Sequence, residues 1–274
     1  MIRAISHVVA FAALAVACAK VPYTGRQQFN LIPHSIMEGI GKSSYESMLA
    51  DARVQKEGQD KQTLRKIGGR ISKATKETEY AWEYNLLIDD EINAWCLPGG
   101  KIGFYTGILP VLSNEAGMAF VMGHEVAHAT AHHGSERLSQ SLALIGGIAG
   151  LEIYMANATQ VKPQDRAIIL GALGVGGTLG IILPFSRTHE SEADVIGMMY
   201  AASAGFAPEE STKLWDRMEA ATGKSAIPAF LNTHPSNEKR KENLREWMPQ
   251  AKKRFERNAL DYDTTKVVWQ TAGK

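Results

Sequence analysis

His124, Glu125 and His128 stand in the pattern H-E-x-x-H, within the run His124-Glu125-Val126-Ala127-His128. On an α-helix, positions i and i+4 share a face, so both imidazoles reach one metal ion while the Glu125 carboxylate stands beside a water on that ion. Imidazole nitrogens are common ligands of Zn²⁺, and a carboxylate next to a zinc-activated water serves as a general base. The spacing therefore supports zinc-assisted hydrolysis of a peptide bond.

The residues around the motif have helical periodicity. Ala116, Ala119, Phe120, Met122, Val126, Ala127 and Ala131 recur at three- and four-residue spacing, which predicts a helix from about 114 to 139 with Ser113 as its N-cap. Gly123, directly before His124, costs that helix about 1 kcal/mol relative to Ala and leaves room for a close neighbour.

A catalytic zinc site needs a third protein ligand and an open position for water. Gly134 occupies the place, six residues after His128, where a metzincin carries its third His, so that layout is excluded. His132 lies one further turn along a straight helix, too far from an ion held by His124 and His128. The segment His189-Glu190-Ser191-Glu192-Ala193-Asp194 supplies carboxylates on a second predicted helix, 188–204. Glu190 and Asp194 are i and i+4, so one can bind the ion while the other receives the N–H of a ligating His. Glu192 is rotated about 200° from Glu190 and is expected to face solvent or a partner residue.

These two motifs together, H-E-x-x-H at 124–128 and Ser186-Arg187-Thr188-His189-Glu190-Ser191-Glu192-Ala193-Asp194-Val195-Ile196-Gly197, resemble the zinc metallopeptidase family numbered forty-eight. That family includes the prenyl-protein proteases, the heat-shock proteases and periplasmic, often lipid-anchored, bacterial members. The resemblance covers roughly residues 30–250. It implies a mainly helical, zincin-like α+β domain with a small sheet ahead of the H-E-x-x-H helix. It also implies one Zn²⁺ per chain held by His124, His128 and Glu190, with Asp194 orienting a ligating His. Asn93-Ala94 would form a cleft edge at which an extended substrate adds as a strand. His234, in His234-Pro235, would stabilise an oxyanion or act as a removable fourth ligand, and Arg240 would join it in the catalytic set or serve as a structural ion-pair residue.

The chain is long enough for a sizeable core, with 274 residues and 45% apolar content. Its formal charge is +1, and Arg3 is the one charged residue among the first 17, so the rest is balanced and nucleic acid is not an expected partner. Arg3 precedes an apolar stretch, residues 8–17, too short to span a bilayer, and Leu14-Ala15-Val16-Ala17-Cys18 resembles a lipobox. The expectation is a signal peptide over 1–17, lipidation at Cys18, and a membrane-anchored lipoprotein on the periplasmic face of an outer membrane, with a soluble periplasmic or inner-membrane protein as alternatives. Lipidation of Cys18 would leave Cys96 as the one remaining thiol.

The same reading divides the chain into a tether over 18–28, a metallopeptidase domain over 29–257 and a tail over 258–274. Within the domain, helices are predicted over 34–53 and 59–76 and strands over 82–88, 92–97 and 102–106. A further helix starts at Pro208, and Ser236 caps a charged helix to about 247. The uncharged run 167–183 is expected to form a lid, a buried helix or a membrane-dipping hairpin. The function expected from the whole is a zinc endopeptidase acting on unfolded or misassembled polypeptides. The alternatives are a zinc-dependent chaperone for outer-membrane proteins with little turnover and an integral membrane protease.

Overall fold

A computed structural model describes residues 18–141, 186–221, 228–235 and 238–269. The expected signal at 1–17, the uncharged run at 167–183 and the cap at Ser236 lie outside the described residues. Among the described residues, no helix is long and apolar enough to cross a membrane.

The chain opens with an antiparallel pair, β1 (Cys18–Lys20) and β2 (Gln27–Phe29). Two helices follow, α1 (His34–Asp51) and α2 (Gln59–Thr75), the second ending on Lys76 in the left-handed conformation. Strands β3 (Glu83–Leu87), β4 (Ala94–Leu97) and β5 (Lys101–Tyr105) form a three-stranded sheet in the order β3-β5-β4. β3 runs parallel to β5 and β4 antiparallel to it, which leaves β4 at an edge. The short α3 (Leu109–Leu112) leads into α4 (Glu115–Thr130), and then come α5 (Arg187–Ser203), α6 (Glu210–Ala221), α7 (Ala229–Thr233) and α8 (Glu238–Asn258). The expected arrangement, mainly helical with a small sheet before the motif helix, is the one found.

α4 is the axis of the core. Every residue from Ala116 to Thr130 is buried, as expected of a helix apolar nearly all round. Its most extensive packing is against α5, and the two helices meet at two glycines. A Cβ on Gly123 would sit 2.5 Å from the Gly197 carbonyl oxygen, and one on Gly197 would sit 2.5 Å from the His124 nitrogen. Only glycine at both places allows the backbones so close, and the crossing falls beside His124.

Three expected boundaries move. The N-cap of α4 is Asn114, whose side-chain oxygen accepts from the Gly117 N–H at 2.7 Å, while Ser113 lies in the turn before it at φ 68°. The predicted helix over 114–139 also breaks at Ala131–His132, where His132 takes φ 53°, and a second helical stretch begins at 133. α8 runs beyond 247 and through Pro249, because Leu244 and Ala251 on its inner face are buried against the core. The region read as a tail packs back on the body: Val267 bridges to Asn114, and the buried Trp269 donates to Asp60 Oδ1 at 2.8 Å.

Candidate metal centre

Four buried side chains from three places in the fold converge: His124 and His128 from α4, Glu190 from α5, and His234 just after α7. His124 Nε2 is 3.1 Å from His128 Nε2 and 3.2 Å from His234 Nδ1. Glu190 Oε1 is 3.0 Å from His234 Nδ1 and 3.4 Å from His128 Nε2, and Glu190 Oε2 is 3.6 Å from His124 Nε2. An ion about 2.0–2.1 Å from four tetrahedral donors separates them by about 3.3–3.4 Å. The observed separations fit that figure, and three nitrogens with one carboxylate are a donor set suited to zinc.

The local structure explains the convergence. One helical turn sets His124 and His128 on the same face of α4, and the close crossing at Gly123 and Gly197 brings the first turns of α5 alongside them. Ser186 caps α5 by accepting from the His189 N–H, so Glu190 enters in the first turn.

Asp194 meets Nδ1 of His124 at 3.0 Å, and a carboxylate there holds the proton on Nδ1 and leaves Nε2 as a lone pair directed at the other donors. Arg240 clasps Asp194 from behind: its Nε donates to Oδ2 at 2.6 Å and its Nη2 to Oδ1 at 2.7 Å. The same guanidinium places Nη1 2.6 Å from Glu190 Oε2, donates to the Pro235 carbonyl at 3.0 Å and lies over the Trp215 ring at 4.0 Å. Arg240 thus ties α8, α5 and the His234 loop together, which makes it an ion-pair residue in this geometry.

Charge in the site follows from these contacts. Burial alone would raise the Glu190 carboxyl, but Arg240 foremost, with His234 and His128, holds it well below the usual carboxylate range. Burial drives the His128 imidazole well below its ordinary value, with Glu190 opposing. Burial would also lower His234, yet Glu190 and Glu125 together raise it. Glu125 is pushed up by burial, against the pull of His234 and His124.

Glu125 lies beside the edge strand, its carboxylate hydrogen-bonded by the Cys96 backbone. Its Oε1 has no hydrogen-bond partner among the described residues and is 3.4 Å from His234 Nε2. Ala94 begins that strand and Asn93 directly precedes it; both are buried, with Asn93 Oδ1 accepting from the Ala94 N–H at 2.9 Å.

His132 stands apart from the four donors, as expected, with its ring edge-on to His34. His133 is a site residue the periodicity did not predict: its Nδ1 lies 3.0 Å from His128 Nδ1 and its Nε2 lies 3.2 Å from Glu192 Oε2. Glu192 is buried rather than solvent-facing, and its partners are His133, Thr24 and Arg26. Arg26 and Thr24 come from the segment read as a tether, which is docked on the body. Cys18 begins β1, paired with Phe29.

Residues 58–248 match the model of Peptidase family M48. The chain is similar to the mitochondrial metalloendopeptidase OMA1 of Schizosaccharomyces pombe, 30% identical over 248 residues, covering 89% of this chain and 70% of that protein. It is 36% identical over 184 residues to the mitochondrial metalloendopeptidase OMA1 of Saccharomyces cerevisiae, covering 65% of this chain and 50% of the relative. It is 28% identical over 186 residues to the beta-barrel assembly-enhancing protease of Escherichia coli, covering 65% of this chain and 37% of the relative. The chain therefore spans half or less of the latter two. The yeast relatives are named as mitochondrial, which overturns the expected placement on the periplasmic face of an outer membrane. A short apolar run behind a single Arg does not by itself specify a compartment.

Proposed function

We propose that this chain, which belongs to peptidase family M48, works as a zinc-dependent endopeptidase on extended stretches of unfolded or misassembled polypeptide. The observation that carries the proposal is the four-donor cluster of His124, His128, Glu190 and His234, whose spacing suits one tetrahedral ion. When bound, zinc supplies the Lewis acidity that activates water and polarises the scissile carbonyl.

The chain's own groups do the rest. Glu125 Oε1, buried and without a hydrogen-bond partner among the described residues, takes the proton of the attacking water and delivers it to the leaving amine. Its raised pKa makes it a stronger base than an exposed carboxylate and a competent acid in the second half. Asp194 fixes the tautomer of His124, and Arg240 positions Asp194 and Glu190 together. The edge of β4 at Asn93-Ala94, beside Glu125, receives substrate backbone as an added strand, a mode that reads any extended chain.

His234 occupies the place that a catalytic zinc site leaves open. It would therefore serve as a fourth ligand to a bound ion, and would have to leave that position to make room for substrate. With Nε2 3.4 Å from Glu125 Oε1, His234 could alternatively donate toward an oxyanion formed beside that carboxylate. The same closure favours a second reading, a zinc-dependent chaperone or assembly factor with little turnover, since closed four-ligand sites are typical of structural zinc. Cleavage of an unfolded substrate such as casein by wild type and by Glu125→Gln separates them. The peptidase reading expects cleavage that the substitution abolishes, and equal cleavage by both would refute it.

A further inference from the structure

A second polar cluster, buried except at Arg26 and Thr24, lies behind His128, on the side away from the other three donors. It is built around Arg26. Its Nη1 and Nη2 donate to the two oxygens of Glu136 at 2.8 and 2.7 Å, and its Nε donates to Glu192 Oε1 at 2.9 Å. Thr24 Oγ1 also donates to Glu192, at 2.9 Å. Glu192 in turn meets His133 Nε2 at 3.2 Å, and His133 Nδ1 meets His128 Nδ1 at 3.0 Å. His189 stacks on His133 and binds Glu136 at 2.9 Å, which closes the cluster.

With a neutral imidazole at the fully buried His133, the order of donors and acceptors along this chain has one consistent solution. A carboxylate held by a guanidinium can only accept, so His133 donates to Glu192 from Nε2. Its Nδ1 is then a lone pair and must accept, so His128 donates from Nδ1 and keeps a lone pair on Nε2. That Nε2 is the atom that faces His124 and Glu190.

We infer that Arg26 is a positioning residue for the metal centre: acting through Glu192 and His133, it fixes the proton of His128 on Nδ1 and couples metal retention to docking of the N-terminal segment. The inference rests on the zinc reading of the site. It goes beyond that reading in giving residues 20–29 a part in the site, and in giving His128 an outer partner distinct from the Asp194 that serves His124. The segment is anchored by bonds that do not involve Arg26 as well: Gln28 Nε2 donates to the Ala131 carbonyl, and just beyond it the Leu31 N–H donates to Ser139 Oγ at 3.0 Å. Among the described residues Arg26 alone bridges Glu136 and Glu192, and its forked geometry suits two carboxylates in a way a lysine ammonium does not.

The test is zinc affinity of the full chain, by chelator competition, together with the absorption bands of the cobalt-substituted protein. Arg26→Ala and Glu192→Gln are each expected to weaken zinc binding tenfold to hundredfold and to shift the cobalt bands. The double variant should bind no more weakly than the worse single, because both act through one chain of bonds. Arg26→Lys should fall between wild type and Arg26→Ala, and it carries the comparison if Arg26→Ala does not fold. Lys66→Ala, which breaks an exposed contact to Glu115 and Tyr262, should leave zinc affinity unchanged. Folded Arg26 and Glu192 variants with wild-type affinity and cobalt spectrum, or losses that multiply in the double variant, would overturn the inference. A wild-type chain that binds no zinc would overturn the reading of the site itself.

Discussion

Gly123 and Gly197 face each other where α4 crosses α5, with the Cβ position of each 2.5 Å from backbone of the other helix. This contact brings His124 of one helix beside Glu190 and Asp194 of the other, so packing and chemistry share one point of closest approach. Gly197→Ala should therefore act on both. Despite the better helix propensity of Ala, worth about 1 kcal/mol, overpacking at the crossing should cost about 1–3 kcal/mol net. Chemical denaturation measures that loss, and zinc affinity should fall with it.

Arg240 is enclosed with two carboxylates, Asp194 and Glu190, all three fully buried. Arg240→Ala removes the shared cation and leaves both acids uncompensated, so the metal-free protein should lose about 3–5 kcal/mol. Asp194→Asn is milder for the fold but can present an amide N–H to His124 Nδ1. Zinc affinity should fall tenfold to hundredfold while much of the stability remains.

The stability of the metal-free protein should depend on pH in two opposite senses. His132 and His133 are lowered by burial to about 4, so their neutral forms stabilise the fold above pH 6.5, and that contribution is lost as pH falls from 6.5 toward 4. Glu192 is held at about 2 against burial by His133, Arg26 and Thr24, so its contribution is present above pH 4.5 and lost as pH falls through about 2. His234 runs the other way: its raised pKa stabilises below pH 6.5 and ceases to do so as pH rises through the folded value. Denaturation curves across pH 3–9 test this, and His133→Phe should make the limb between 6.5 and 4 shallower.

His234→Ala should retain zinc through His124, His128 and Glu190 while opening the fourth position. Turnover of an unfolded substrate should then rise several-fold if closure limits the wild type, and a progress curve on casein shows it. A fall of a hundredfold or more in kcat would instead make His234 principally an oxyanion donor.

Much of the site was legible because its main residues obey helical spacing. His124 and His128, then Glu190 and Asp194, are i and i+4 pairs, and their helices could be drawn from apolar periodicity. The resemblance supplied Glu190 as ligand and drew in His234 and Arg240, which no local pattern connects to the motif. His133 was illegible because a continuous helix turns position 133 about 140° from His128. The left-handed turn at His132 breaks that helix and returns the ring to its neighbour. Arg26 was hidden for another reason: it is 110 residues from Glu136 and 166 from Glu192 in a stretch without periodicity. The compartment was misread because a short N-terminal apolar run is common to several destinations.

X-ray absorption at the zinc edge tests the central claim most directly, since it reads the ligands of the bound ion. The account predicts one zinc per chain with three imidazole nitrogens and one carboxylate oxygen at about 2.0–2.2 Å, and one imidazole fewer in His234→Ala. A sulfur neighbour at about 2.3 Å, a ligand shell unchanged in His124→Ala, or no stoichiometric zinc would contradict it.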